Sequence, residues 1–471
     1  MQLYNTATRN VEEFEPGNSE LGPDKKKTVS MYTCGPTVYD YLTIGNWAAY
    51  IRWDLLARVL RHNNWNVNWI MNITDVGHLV SDADDGEDKL EKGARREGKT
   101  AWEVAEYYTA DFIEGLKALD ISIPHENLVK ATDHIAEQIA LVQKLEEKGY
   151  TYRLSDGIYF DSVKFPNYGK LAKLDIKGLL AGARIAYGDK KNPTDFAVWK
   201  FSPPGVSRDM EWDSPWGKGF PGWHLECSAI AMNFLDTPID IHAGGIDHIP
   251  VHHTNEIAQS EAATDEKFVR FWVHSNFITI DGEKIAKSAG NGHTLADIAA
   301  KGYSFESLRM FVLESGYHRQ SNFTFDNLSA AQSRLKRWQA VADLRWQLTD
   351  GPNNSTELEQ IIPAISAALN DNLDTPSALA AIERALSILE QGISKSAEPS
   401  ARKLFDTIRD LLGIDLLASA DISDEVKELI AKREIARMNK DFASSDASRD
   451  ALAEQGIEIR DTPHGSFWAR A

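Results

Sequence analysis

Near the start of the chain, the spacing of the apolar residues changes period twice. The run TVSMYTCGPTVYD is typical of a buried strand followed by a turn. From Ile44 the apolar side chains recur at helical spacing as far as Val59, and WNVNWIMNIT then predicts a second strand. Strand, helix and strand in this order are the parallel α/β unit.

The pattern further along the chain predicts an interrupted sheet and then helices. The charged stretch SDADDGEDKLEKGARREGKT is expected to interrupt the sheet domain before a helix at 101–118. The segment PIDIHAGGIDHIPVHHTNEIAQSEAA returns to strand, Gly-rich turn and helix. After residue 305 or so the apolar spacing is that of amphipathic helices, which predicts a helical bundle.

The expected fold is therefore α/β, with a Rossmann-type parallel-sheet domain that carries an insertion, followed by a helical bundle and a small terminal module. The predicted limits are 1–120 with 226–300 for the split sheet domain, 121–225 for the insertion, 301–420 for the bundle and 421–471 for the terminal module.

Composition narrows the class of protein. Apolar residues make up 42% of the chain and 13 residues are tryptophan, which is enough for large cores. No apolar run reaches the roughly 18 residues of a membrane span, and two cysteines favour a reducing, cytoplasmic setting. The net charge of −19 argues against indiscriminate binding to nucleic acid or anionic membrane, but leaves room for a locally basic groove.

Four residues offer metal-ligand chemistry. His252 and Glu256 stand four positions apart, on one face of the predicted helix, and Cys34 and Cys227 are the only cysteines. Two thiolates, an imidazole and a carboxylate suit zinc better than magnesium or calcium. Because the spacing is not that of a zinc finger, two buried structural cysteines and a solvated His/Glu pair explain the pattern equally well.

Two glycine turns and one loop could face a nucleotide. Gly45 stands where the first helix begins, and a helix N-terminus with a glycine admits a phosphate or ribose. Gly244 and Gly245 form a second turn after a strand. Lys284 and Lys287 lie on a polar, Gly-flanked loop that could neutralise charge on a leaving phosphate. A plain strand–helix turn and solvated lysines remain open alternatives for these features.

Taken together and in order, these segments identify a family. The chain resembles the class I aminoacyl-tRNA synthetases, and specifically the cysteinyl-tRNA synthetases, from MYTCGPTVYDYLTIGN through NITDVGHL, GWHLECSAIA, GGIDHIPVHHTNEIAQS and KIAKSAGN to the tail. The resemblance spans nearly the whole chain. It implies a ligase that activates L-cysteine with ATP to cysteinyl-adenylate and then transfers it to tRNA(Cys).

The resemblance also assigns roles at the amino-acid pocket. It implies one Zn²⁺ per subunit that receives the thiolate of the substrate, with ligands that match Cys34, Cys227, His252 and Glu256. Trp223 and His224 match pocket residues beside the cysteine substrate. Mg²⁺ is expected to accompany ATP.

At the nucleotide the resemblance is imperfect. The first histidine of the signature His-Ile-Gly-His is replaced by Thr43, which cannot carry charge, while Gly45 and Asn46 follow the family pattern. The expected ATP-binding and catalytic residues are therefore Thr43, Gly45, Asn46, Gly244, Gly245, Asp247, Lys284 and Lys287.

The tail resembles the anticodon-binding module of the same family. Arg437, Phe442 and Asp446 match its anticodon-reading positions, with phenylalanine where tryptophan is usual. The expected partners are tRNA(Cys), ATP and L-cysteine, without a membrane, and the expected state is a monomer. Two rivals are a ligase that passes cysteine to an amino sugar, which lacks a full tail module, and a non-catalytic paralogue that binds zinc or RNA.

Overall fold

The computed structural model describes residues 1–17, 24–77, 88–174, 189–202, 205, 208–285, 292–351, 353–462 and 465–470. The contacts within the chain divide it into two compact units. One unit comprises 1–301 with 317–323, and the other comprises 302–316 with 324–471. The finer division into four parts stays a prediction.

The strands of the described residues are β1 (Gln2–Asn5), β2 (Asn10–Glu13), β3 (Thr28–Thr33), β4 (Asn66–Ile73), β5 (Leu128–Lys130), β6 (Thr151–Leu154), β7 (Gly157–Phe160), β8 (Phe196–Phe201), β9 (Gly219–Pro221), β10 (Ile239–Gly245), β11 (Val269–Ser275), β12 (Ile278–Ile280), β13 (Glu283–Lys284), β14 (Ser321–Phe323), β15 (Ile457–Thr462) and β16 (Gly465–Arg470).

The α-helices of the same residues are α1 (Ile44–His62), α2 (Lys89–Glu97), α3 (Ala101–Ala118), α4 (Ile135–Glu147), α5 (Trp223–Phe234), α6 (His252–Thr264), α7 (Leu295–Ala300), α8 (Phe305–Leu313), α9 (Phe325–Ala342), α10 (Ser355–Asn370), α11 (Thr375–Leu389), α12 (Glu398–Leu412), α13 (Asp424–Met438) and α14 (Phe442–Glu454).

A five-stranded parallel sheet forms the centre of the first unit. Its order is β11-β10-β3-β4-β5, and every neighbouring pair runs parallel. The predicted α/β class with a parallel sheet is confirmed. The order places β3 and β10 side by side although about two hundred residues separate them, so the carboxyl ends of these strands share one edge.

Helix α1 crosses between β3 and β4, and its apolar face is buried. Trp47 stacks on Phe112 of α3, with ring centroids 5.7 Å apart. Gly115 of α3 permits this contact, because a Cβ there would lie 2.3 Å from the Trp47 ring. The packing holds the first turn of α1 beside the end of β3.

The charged stretch before residue 101 contains a helix, so the expectation that it simply interrupts the sheet domain was incomplete. Helix α2 lies within it, capped by the side chain of Asp88, which accepts hydrogen bonds from the backbone N–H groups of Leu90 and Glu91, and ended by Gly98 at φ 65°. The helix was not predicted because the stretch has many charged residues and few apolar ones, although its capping residues are local signals of a helix. The insertion region carries the antiparallel sheet β6-β7-β8-β9.

The second unit is helical, as predicted. Helices α9, α10 and α11 lie in the amphipathic part of the predicted bundle. Helix α12 then follows within the predicted limits of the bundle, and α13, α14 and the hairpin β15-β16 come after it. A small core of apolar side chains, among them Leu452 and Trp468, joins this last group. No helix within the described ranges is long and apolar enough to cross a membrane.

Candidate active site and metal centre

A cleft of about 410 Å³ lies at the carboxyl ends of the parallel strands, beside the first turn of α1. Its lining includes Cys34 and the residues that follow β3, the α1 residues Gly45 and Asn46, and the glycines at the end of β10. Open α/β sheets bind their ligands at this edge, because the loops after the strands converge there.

Three elements bring the four predicted metal ligands together, and three of these residues, Cys34, Cys227 and His252, line this cleft. Cys34 directly follows β3, where its backbone N–H donates to the carbonyl of Ala243 at 3.3 Å. Cys227 lies on α5, and His252 and Glu256 lie one turn apart on α6. All four side chains are buried, and Glu256 is 0% exposed.

The donor atoms of these four residues all lie within 4.8 Å of one another. Oε1 of Glu256 lies 3.0 Å from Nε2 of His252, yet it has no hydrogen-bond partner among the described residues. A buried carboxylate oxygen without a hydrogen bond is costly. Two sulfurs, one imidazole nitrogen and this oxygen are the donor set of a tetrahedral zinc site, so the residues present fit the ion.

The four side chains of the cluster shift one another's pKa values. Contact with the Cys34 thiol lowers the pKa of Cys227 to about 6, and the charge of His252 acts in the same direction. Burial and the neighbouring Cys227 raise the pKa of Cys34 well above its usual range. Burial opposes ionisation of Glu256, but the nearby His242 and His252 lower its pKa to about 2. The pocket therefore favours a thiolate and a carboxylate beside positive charge.

Further histidines surround the cluster, and no role for them was predicted from the sequence. Nε2 of His242 lies 2.9 Å from Oε2 of Glu256, and Nε2 of His253 lies 3.3 Å from the sulfur of Cys34. His253 in turn contacts His274, with 2.7 Å between their ring nitrogens. Partners of this kind orient metal ligands. The signal was available, because six of the chain's 13 histidines fall between residues 224 and 274.

A second set of four donors overlaps the first. Cys34, His242, His253 and Glu256 also lie within 4.8 Å of one another. Two of its members already hold ligands of the first set through the contacts just described, and it leaves out the acidic thiol of Cys227. Donor chemistry therefore favours the set with both cysteines.

A buried chain of hydrogen bonds joins the two cysteine-bearing segments. The backbone N–H of Gly35 donates to Asn72 at 2.8 Å, and the amide of Asn72 donates to the hydroxyl of Thr74 at 2.9 Å. Thr74 then donates to the carboxylate of Glu226 at 3.0 Å. Gly35 and Glu226 are the neighbours of Cys34 and Cys227, so the chain helps to set their spacing. Nothing in the linear sequence pointed to it.

The two aromatic pocket residues occupy different places. Trp223 lines the cleft, and its ring lies 4.5 Å from that of His252. His224 is buried behind the ligands, with 2.9 Å between its Nδ1 and Nδ1 of His252. Trp223 therefore borders the space open to a bound molecule, whereas His224 is absent from the lining of the cleft and contacts His252.

Most residues expected at the nucleotide line the same cleft: Thr43, Gly45, Asn46, Gly244, Gly245, Asp247 and Lys284. Gly45 closely approaches Ile285, since a Cβ there would lie 2.8 Å from Cδ1 of that side chain. Lys284 stands over the ring of Phe277, 5.2 Å from its centroid. Lys287 lies outside the described residues.

In the second unit, the three expected anticodon residues lie close together in sequence at the end of α13 and on α14. Phe442 is 67% exposed and opens α14, with Asp446 one turn later and also exposed. Arg437, on the last turn of α13, forms an ion pair with Asp461. An exposed phenylalanine ring at a helix start is available for stacking on a base.

Comparison with known proteins gives a consistent result. Residues 20–333 match the family model "tRNA synthetases class I (C) catalytic domain", and residues 419–468 match "Cysteinyl-tRNA ligase anticodon binding domain". The chain is 42% identical to "Cysteine--tRNA ligase 1" of Burkholderia lata, over 99% of this chain and 96% of that protein. It is 40% identical to "Cysteine--tRNA ligase" of Chlorobaculum tepidum, over 100% of this chain and 99% of that protein.

Solved structures resemble the chain in fold. Methionyl-tRNA synthetase of Mycobacterium tuberculosis, in complex with methionyl-adenylate, matches with a TM-score of 0.58 at 14% identity, over 82% of this chain and 92% of that one. A leucyl-tRNA synthetase complex from Agrobacterium radiobacter matches with a TM-score of 0.61 at 12% identity, over 84% of this chain and 85% of that one.

Proposed function

Since the chain belongs to the class I aminoacyl-tRNA synthetases, and within them to the cysteine–tRNA ligases, we propose that it charges tRNA(Cys) with L-cysteine that a zinc ion recognises through its sulfur. The observation that carries this proposal is the buried cluster of two thiols, an imidazole and a carboxylate, of which the thiols and the imidazole line the cleft. A pocket for an apolar amino acid would have no need of such a cluster.

The reaction has two steps. The carboxylate of cysteine attacks the α-phosphate of ATP, which releases pyrophosphate and leaves cysteinyl-adenylate. A hydroxyl of the terminal ribose of tRNA then attacks the carbonyl of the adenylate, which releases AMP. Magnesium enters with ATP as part of the substrate.

Cys34, Cys227, His252 and Glu256 would hold the zinc. The ion, when bound, supplies a Lewis acid that favours the thiolate form of the substrate's sulfur at neutral pH. Trp223 would close one side of the amino-acid pocket, and the backbone after β3 would lie along the other.

At the nucleotide end, positioning and charge stabilisation would do most of the work. Gly45 and Asn46 at the start of α1, with Gly244, Gly245 and Asp247, would cradle ATP. Lys284 and Lys287 would stabilise the phosphates as pyrophosphate leaves. Arg437, Phe442 and Asp446 would read the anticodon. We place the reaction in the cytoplasm, carried out by a monomer.

Pyrophosphate exchange with cysteine and with serine tests the proposal. Serine differs only by oxygen for sulfur, and its hydroxyl is far less acidic than a thiol. We expect discrimination in kcat/KM on the order of 10⁴ or more, the range reached when a site is built around one polar contact. Selectivity below about a hundredfold, the range of a simple size-selective pocket, would contradict the zinc-recognition step.

Charging of purified tRNA separates the rivals. Exchange followed by charging of tRNA(Cys) supports the ligase. Exchange without charging, but with transfer to an amino sugar, would favour that rival, and the absence of any exchange would favour a non-catalytic paralogue.

A further inference from the structure

Two exposed tyrosines stand side by side next to the cleft. Tyr41 lies in the loop between β3 and α1, Tyr107 lies on α3, and they are 40% and 46% exposed. Their hydroxyl oxygens are 2.7 Å apart, and their ring centroids lie 6.3 Å apart at 76°. This hydrogen bond raises the pKa of Tyr41 to about 12.

Cations border this pair. Nζ of Lys99 lies 4.5 Å from the ring centroid of Tyr107, and the guanidinium of Arg96 donates to the carbonyl of Tyr39 at 3.3 Å. The side chains of Lys99 and Arg96 remain 39% and 48% exposed, although Glu97 pairs with both and Asp40 also pairs with Arg96. In a chain with a net charge of −19, exposed rings beside exposed cations form a surface suited to nucleic acid.

The loop that carries Tyr41 also forms the wall of the cleft. Tyr39 and Leu42, on either side of it, line the cleft, so the backbone of Tyr41 lies at the wall of the cleft while its side chain is exposed. A tRNA must bring its terminal ribose into this cleft, and the nucleotides before it are unpaired. Unpaired bases are bound mainly by stacking on aromatic rings.

We propose that Tyr41 and Tyr107 form a stacking platform for the unpaired 3′-terminal nucleotides of the tRNA. The proposal rests on the function proposed above and names where the acceptor end of that substrate binds. The hydrogen bond between the two phenols holds the rings in place before the RNA arrives, which reduces the ordering cost of binding.

The test compares intact tRNA(Cys) with the same tRNA lacking its last three nucleotides, using Tyr107→Ala and Tyr107→Phe. Tyr107→Ala should lower kcat/KM for charging by roughly tenfold, the scale of one lost stacking contact, while exchange without tRNA stays unchanged. The wild type should bind intact tRNA more tightly than truncated tRNA, and Tyr107→Ala should lose this preference. Tyr107→Phe keeps the ring and should retain most of both properties.

Phe234→Ala, which removes another exposed aromatic ring (39% exposed) from the same unit, is the matched control and should change neither property. Equal loss of affinity for intact and truncated tRNA, or an equal defect in the phenylalanine variant, would overturn the platform. A wild-type protein that carries out no exchange would instead refute the proposed function. Tyr41→Ala removes the other ring of the pair and should give the same results as Tyr107→Ala.

Discussion

The side-chain oxygen of Asn46 accepts hydrogen bonds from both the backbone N–H and the hydroxyl of Thr43, each at 3.0 Å. Threonine at the start of α1 is therefore part of the helix cap. Its methyl group faces Gly292, where a Cβ would lie 2.6 Å away. The residue that replaces the signature histidine is thus held by its neighbours, and its hydroxyl is already engaged.

Thr43→His should raise the rate of pyrophosphate exchange and leave the affinity for ATP unchanged, because imidazole can carry charge toward the α-phosphate and threonine cannot. Exchange kinetics and ATP titration measure the two effects. Thr43→Ser keeps the capping hydroxyl and is the control. Equal or lower exchange in Thr43→His would show that this site has compensated for the missing histidine.

The purified protein should contain about one tightly bound zinc per chain, and Cys227→Ser should remove it and abolish cysteine binding. Elemental analysis and equilibrium binding of cysteine measure these results. His125→Ala, at an exposed histidine outside the cluster, should keep its zinc. Full zinc content in Cys227→Ser would contradict the ligand assignment.

Lys287→Ala should slow adenylate formation by a factor of ~10²–10³, the scale for losing one preorganised charge-stabilising group. The affinity for cysteine should change little, because the proposed zinc ligands, rather than this lysine, bind the amino acid. Lys117→Ala removes an exposed lysine (66% exposed) on α3 and serves as the control. Unaltered exchange in Lys287→Ala would mean that this lysine is merely solvated.

Phe442→Ala should reduce charging of tRNA by roughly tenfold and spare pyrophosphate exchange, because one stacking ring is lost. Phe442→Trp should charge at least as well as the wild type. A point variant is cleaner than removing the tail from residue 423, because Arg470 pairs with the buried carboxylate of Asp343. Normal charging by Phe442→Ala would exclude this ring as an anticodon contact.

Burial raises the pKa of Asp75 to about 6, although two hydrogen bonds from Thr132 oppose the shift. The unfolded chain, with an ordinary pKa, loses this proton first as the pH rises. The free energy of unfolding should therefore fall between about pH 4 and 6, by roughly 2–3 kcal/mol, and then level off.

Denaturant unfolding of the wild type and of Asp75→Asn, measured across this pH range, isolates the contribution of Asp75. The free energy of unfolding of the wild type minus that of Asp75→Asn should decrease from pH 4 to pH 6, because asparagine does not titrate. A constant difference would show that Asp75 has an ordinary pKa in the folded protein.

Local patterns in the sequence were enough to predict the parallel α/β class, the helical second unit and six of the described helices, namely α1, α3, α6 and α9 to α11. The interval at which apolar residues recur shows which face of a helix or strand is buried. This interval can be read from a short segment of sequence, because it depends only on local conformation. Helix α2 escaped because caps, rather than an apolar stripe, define it. The resemblance of the motifs then pointed to the family, which the comparisons confirm.

Only the tertiary structure decided how distant segments meet. The sheet order places the end of β3 beside β10, and the packing of α5 and α6 brings Cys227 and His252 to the sulfur of Cys34. The hydrogen-bonded chain through Asn72 and Thr74, and the contact between Tyr41 and Tyr107, likewise join residues that no sequence spacing relates. Such contacts depend on the three-dimensional path of the backbone, whereas a periodic pattern encodes only the local conformation of each element.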